Sequence, residues 1–168
     1  MKNNYLLFLL LLCTLVCFSG EATPLLTQKN SIILIENAYV RATIPGTTIA
    51  SSYMEIENKG DKTVTLLSAS SNISPRIEIH QHTMLDGMMR MRKVDSIDIN
   101  PKERVKLQPS GLHLMLFDVK KPLNSPDHIE LMLNFSTNES VTVQVPIYSP
   151  TQEKAAKPVS STMHEHHH

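Results

Sequence analysis

Residues Leu112–Val119 read LHLMLFDV. In an extended chain, side chains two apart share a face. Leu112, Leu114 and Leu116 therefore point one way, and His113 and Met115 the other. Strict period-two alternation marks a strand lying on a core rather than a helix, whose apolar period is 3.6. A lone methionine opposite the leucines would be ordinary, but the histidine beside it is less so.

Working outward, most of the chain has the same extended character. SIILIENAYVRAT (31–43) is rich in β-branched residues and stops before PGTT. IASSYMEIEN, the turn NKGDK and TVTLLSASS follow. RIEIHQH places Ile77 and Ile79 on one face and Glu78 and His80 on the other; LDG is a hairpin signal and MMRMRKV resumes an extended pattern. Gly87 in that turn supplies positive φ. RVKLQ, LHLMLFDV, HIELMLNFS and SVTVQVPIYS complete the set. Eight or nine short strands, evenly spaced and broken by Gly, Pro and Asn, predict an all-β sandwich or barrel without long helices. Met54 and Met132 are read as core residues, and His128 as a surface residue at a strand start.

Three segments are expected: a signal peptide at 1–22, a β-sandwich domain at 23–149 and a flexible His/Met-containing tail at 150–168. The run from Tyr5 to Phe18 is apolar but shorter than the roughly 20 residues that span a bilayer, and SGEA follows it. Cleavage after Ala22 or after Ser19 fits. Cys17 follows Thr14-Leu15-Val16, a poor match to a lipoprotein acylation site. Both cysteines, Cys13 and Cys17, lie in this segment, so the mature chain would hold no thiol. That excludes a cysteine nucleophile, a thioredoxin-like motif and a blue-copper site. Sixteen basic and sixteen acidic side chains give no net charge, and tryptophan is absent. Neither feature suits nucleic-acid binding. The expected protein is exported, without stable membrane insertion, and monomeric.

The stretch HQHTMLDGMMRM (80–91) concentrates two of eight histidines and four of nine methionines. A hairpin through LDG brings His80 and Met91 toward one another, and His113 and Met115 add a second imidazole and thioether. Thioethers are soft and uncharged and suit Cu(I); imidazole accepts Cu(I) or Cu(II). Zinc sites draw on Cys, His and carboxylates, and calcium and magnesium on oxygen. The metal implied is copper, mainly Cu(I). His82 and Met84 are candidates for an auxiliary position, with solvated or hairpin-packed side chains as the simpler reading, which also covers Met88 and Met89. Glu78 and Asp118 are candidates to hydrogen-bond a ligand histidine.

The spacing His80-x10-Met91-x21-His113-x-Met115 resembles the signature of the periplasmic PCu(A)C-type copper chaperones, and so do the words EIHQHTMLDGMMRMRKV and PSGLHLMLFDVKKPL. The resemblance covers about Ile32 to Ile147. It implies a cupredoxin-like Greek-key β-sandwich with one Cu(I) site near the surface, whose ligands by position are His80, Met91, His113 and Met115. It also implies delivery to a copper-acceptor protein, such as cytochrome c oxidase subunit II or an assembly factor, during assembly of the oxidase's dinuclear copper centre. The C-terminal Met163, His164, His166, His167 and His168 resemble a family extension that helps hold a second copper, often as Cu(II). Such a run can also be an appended tag, but only three histidines are consecutive here. Two other classes fit less of the sequence: an interaction or adhesion module with no physiological metal, and a small copper redox enzyme, for which one domain offers few histidines.

Overall fold

A computed structural model describes residues 31–85 and 87–156. Ten strands form in chain order: β1 (Ile33–Arg41), β2 (Ala50–Asn58), β3 (Val64–Ser70), β4 (Arg76–Leu85), β5 (Met88–Val94), β6 (Ile97–Ile99), β7 (Arg104–Leu107), β8 (Leu112–Phe117), β9 (His128–Phe135) and β10 (Ser140–Tyr148). One sheet runs β5-β4-β8-β7-β2-β1; a short parallel contact of β1 with β10 leads into the second, β10-β9-β3-β6. Strand β8 also pairs directly with β2, through Ala50↔Leu116, Ser51↔Met115 and Ser52↔Leu114. The chain passes between sheets after β2, β3, β5, β6 and β8, which is Greek-key wiring. The expected all-β sandwich is the observed fold.

The core follows from alternation. Leu114 and Leu116 of β8 are fully buried with Ile79 of β4 and Met54 and Ile56 of β2. Val64 and Leu66 of β3, Leu131, Leu133 and Phe135 of β9, and Val145 and Ile147 of β10 meet them from the second sheet. Each such side chain contributes about 1.5–3 kcal/mol when removed from water. The fully buried Asn58 closes the NKGDK turn. Its amide donates to the carbonyls of Lys62, Ile99 and Asn100 at 2.8, 3.0 and 3.2 Å, and its oxygen accepts the Gly60 N–H at 2.9 Å. The end of β2 is thereby tied to the end of β6 with no polar atom of that amide left unpaired.

The structure differs from the sequence reading at three places. Met132, read as core, lies on the exposed side of β9, whose buried positions are Ile129, Leu131, Leu133 and Phe135. Strand β6, only Ile97–Ile99, is too short for a periodicity test. Residues 150–156, assigned to the flexible tail, form a helix, α1 (Pro150–Ala156). Glu153 anchors it, accepting from Arg41 Nε at 2.7 Å and from the Tyr39 hydroxyl at 3.2 Å. Among the described residues no helix is long and apolar enough to cross a membrane. The expected signal peptide and the tail histidines lie outside the described residues.

Truncating Leu114 to Ala should cost about 2–5 kcal/mol, as for other buried leucines. Met91→Ala, on the exposed β5, should cost less than about 1 kcal/mol. Urea denaturation of the two variants checks this; equal losses would contradict the assignment of faces.

Candidate metal centre

Neighbouring strands β5, β4 and β8 set the outer face of the first sheet. Directly opposite residues in an antiparallel pair share a face. Across β4 and β8 the pairs are His80↔His113 and Glu78↔Met115; across β4 and β5 they are His80↔Lys93, His82↔Met91 and Met84↔Met89. Glu78, His80, His82, Met84, Met89, Met91, Lys93, His113 and Met115 therefore project together, away from the leucines.

All four residues of the expected ligand set lie on this face, with unequal intimacy. His80 and His113 are direct cross-strand neighbours, their ring centroids 6.0 Å apart. Met115 follows His113 by two residues, and its sulfur takes a contact from the Ser51 hydroxyl at 3.8 Å. Met91 lies opposite His82 and only diagonally from His80, a separation that a long side chain still covers. It is exposed, whereas His113 is only 2% exposed. The covering is aromatic: His82 stacks on His113 at 5.0 Å, and Tyr53 lies 6.2 Å away, ring to ring.

His82, a candidate for an auxiliary position in the sequence, has a central place on this face. It stands between Met91 and His113, and its buried Nδ1 has no hydrogen-bond partner. The signal was available, because His80 and His82 are two apart on one strand and must share a face. Asp118 is not on a histidine; its carboxylate is exposed, 3.9 Å from Arg76.

The hydrogen bonds fix which nitrogens are free. His80 Nε2 lies 2.8 Å from Glu78 Oε2. Glu78 also receives Arg76 at 3.1 Å and Lys93 at 3.5 Å. The His80 hydrogen bond, with Arg76 and Lys93, lowers the Glu78 carboxyl from 4.5 to about 2. An ionised carboxylate only accepts, so His80 donates through Nε2. Its Nδ1 lone pair is left buried and unpartnered. His113 Nδ1 lies 3.1 Å from the Gly111 carbonyl, also acceptor-only, so this nitrogen donates and Nε2 keeps the lone pair. A carboxylate or carbonyl holding the far nitrogen of an imidazole is the arrangement that orients histidine ligands toward a metal. Among the described residues no three of His, Cys, Asp and Glu are grouped to hold a metal ion; a metal on this face would need the thioethers.

The family model described as "Putative lipoprotein LpqE-like" matches residues 33–147. The chain belongs to the LpqE-like family. One relative, "Putative lipoprotein Lxx21020" of Leifsonia xyli subsp. xyli, is 28% identical over 116 residues, covering 68% of this chain and 69% of that protein. Among solved structures, the copper-bound PCuAC domain from PmoF2 is similar with a TM-score of 0.62 at 27% identity, covering 71% of this chain and 95% of that domain. Its apo form gives 0.61 at 28% identity, covering 71% and 92%. The LpqE-like domain described here thus has the PCuAC fold, in agreement with the resemblance drawn from the His80-to-Met115 spacing.

Two groups on the LpqE-like face should make metal-free stability depend on pH in separate windows. Burial pushes the His113 imidazole below 6.5, against the Gly111 hydrogen bond and with help from neighbouring His82, His80 and Arg41. Below about 6.5 the unfolded chain takes up this proton and the fold does not, so stability falls as pH drops through that range. For Glu78, stabilisation is present above 4.5 and lost as pH falls from there toward about 2. In thermal melts, His113→Gln should flatten the upper slope and Glu78→Gln the lower. Unchanged slopes would reject these assignments.

Proposed function

We propose that this chain is an exported copper chaperone that carries Cu(I) on the outer face of its first sheet and surrenders it to a cuproprotein. The observation that carries the reading is the His80–His113 pair. Each imidazole has one nitrogen held by an acceptor and the other free, with thioethers on the same face. Met91 and Met115 complete a neutral His2Met2 set with His80 and His113. The copper named for the similar PmoF2 domain supports the choice of metal. So does the chemistry of the donors, which are soft, uncharged and free of thiolate.

The mechanism follows from those donors. Copper is the cargo, so the chain performs no bond chemistry on it. Glu78 holds His80 in one tautomer, and the Gly111 carbonyl does the same for His113. Transfer is ligand exchange in a docked complex: an incoming donor displaces the exposed Met91 first, and buried His113 lets go last. A cysteine-bearing acceptor binds Cu(I) more strongly than neutral ligands do, so transfer runs downhill. We assign the dinuclear copper centre of cytochrome c oxidase as the destination, reached through subunit II or an assembly factor. Residues 1–22 direct export to the periplasm, and Met163, His164, His166, His167 and His168 form an auxiliary store for Cu(II). The family description speaks of lipoproteins; here Thr14-Leu15-Val16 before Cys17 favours a cleaved signal without an anchor.

Anaerobic Cu(I) titration against a competing chromophoric chelator tests the reading. One tight equivalent should survive removal of residues 157–168. His80→Ala, His113→Ala, Met91→Ala and Met115→Ala should each weaken it. Glu78→Gln, which keeps shape but removes the charge that orients His80, should weaken it roughly 10–100-fold. Loss of all tight binding with the tail would refute the strand-borne site and favour an interaction module. Binding should also weaken as pH falls, because ligand imidazoles must be neutral.

A further inference from the structure

The β4–β5 hairpin carries more thioethers than a four-ligand site uses. Met84, Met88, Met89 and Met91 are 65, 54, 57 and 45% exposed. Contiguous exposed apolar surface of this kind is uncommon unless it serves recognition. The register sorts these residues by chemistry. Met84 pairs with Met89, and Met91 with His82, so three sulfurs and an imidazole share the site face; Leu85 pairs with Met88 on the other. Arg90 and Arg92 also fall on that other face, opposite Thr83 and Gln81. Lys93, the cation that β5 does place on the site face, is drawn to Glu78 at 3.5 Å. The end of the hairpin nearest the turn is left with neutral soft donors on one side. His82 sits opposite Met91, its ring stacked on His113 and its buried Nδ1 without a partner.

We propose that Met84, Met89 and Met91, with His82, form a second Cu(I) position at the hairpin end, through which copper reaches the His80–His113 pair. The proposal rests on the Cu(I) reading above and extends it. Directly opposite strand residues have Cβ atoms about 4.5–5.5 Å apart, and flexible methionine side chains converge readily over that span. Met91 lies between the two positions and serves both. Each step exchanges one neutral donor for another at an ion that stays Cu(I), so no electron moves and no proton is released. Exposure falls along the path, from Met84 at 65% to His113 at 2%. A poorly protected entry thus leads to a protected holding site.

The test is Cu(I) titration of the full chain under anaerobic conditions, with 13C-methyl-labelled methionines followed by NMR beside chelator competition. The variant Met84→Leu/Met89→Leu keeps volume and apolar character while removing both sulfurs. In the wild-type chain the first equivalent should shift the Met91 and Met115 methyl signals, and the second those of Met84 and Met89. The double variant should keep the first equivalent and lose the second at the hairpin. A normal first equivalent with unmoved Met84 and Met89 methyls, or a second one that shifts only Met163 in the tail, would overturn the hairpin position alone. Failure of the first equivalent would bring down the copper reading and this proposal together.

Discussion

The outer face depends on the register of β8 inside the first sheet. Leu114 and Leu116 are fully buried, fixing β8 against β4 at Ile79↔Leu114 and Ile77↔Leu116, and against β2 at Ala50↔Leu116. A slip of one residue would drive His113 and Met115 into hydrocarbon and turn the leucines to water. Each lost leucine would cost about 1.5–3 kcal/mol, and an unpaired buried imidazole adds a further penalty. The slipped state does not compete. His113 therefore meets His80 for reasons of packing alone, and the site face is built before any ligand arrives.

Packing decides where the imidazoles lie, and hydrogen bonding decides how they are presented. Glu78 is the pivot on the β4 side. Arg76, Lys93 and His80 surround its carboxylate and keep it ionised, so it accepts the His80 Nε2 proton and leaves Nδ1 bare. On the β8 side the Gly111 carbonyl does two jobs, accepting the His82 backbone N–H at 3.2 Å and His113 Nδ1 at 3.1 Å. One backbone atom thus joins the β4–β8 ladder to the tautomer of a buried ring. Burial of His113 beneath His82 and Tyr53 opposes its protonation and keeps a neutral donor available. Tyr53 is also braced: Arg41 lies 5.0 Å over its ring and pairs with Glu153 of α1.

The legible parts were those in which two residues of separation suffice to assign a face. The leucines of β8 and the isoleucines of β4 declared the core, and His113, Met115 and His80 fell on the other side without further information. His82 obeys the same rule, but RIEIHQH gives no sign that β4 continues to Leu85, so its neighbours on β5 are not legible. Met132 misled in the opposite sense: an apolar residue on a strand says nothing of its face until the buried set, Ile129, Leu131, Leu133 and Phe135, is counted. Helix α1 was illegible locally. Its docking rests on Glu153 meeting Arg41 and Tyr39, 112 and 114 residues away in sequence. The pairing of Met91 with His82 and not His80 follows from the hairpin register, which closes at Leu85↔Met88 beside Gly87 at φ 74°.

On the proposed reading, a carrier of Cu(I) must hold its ion firmly enough to keep it and loosely enough to yield it, and the strand arrangement would meet these needs with different residues. His113 and Met115 on β8 sit inside the sheet, held by core packing from one face, with aromatic cover over His113 on the other. Met89 and Met91 on β5 sit on an edge strand and are exposed. An unpaired edge would ordinarily invite strand addition by another chain; Arg90, Arg92 and Lys93 along β5 oppose that with charge. On the proposed copper reading, four neutral ligands would leave the ion's positive charge uncompensated except through Glu78 behind His80, whereas an acceptor's thiolate would cancel it directly.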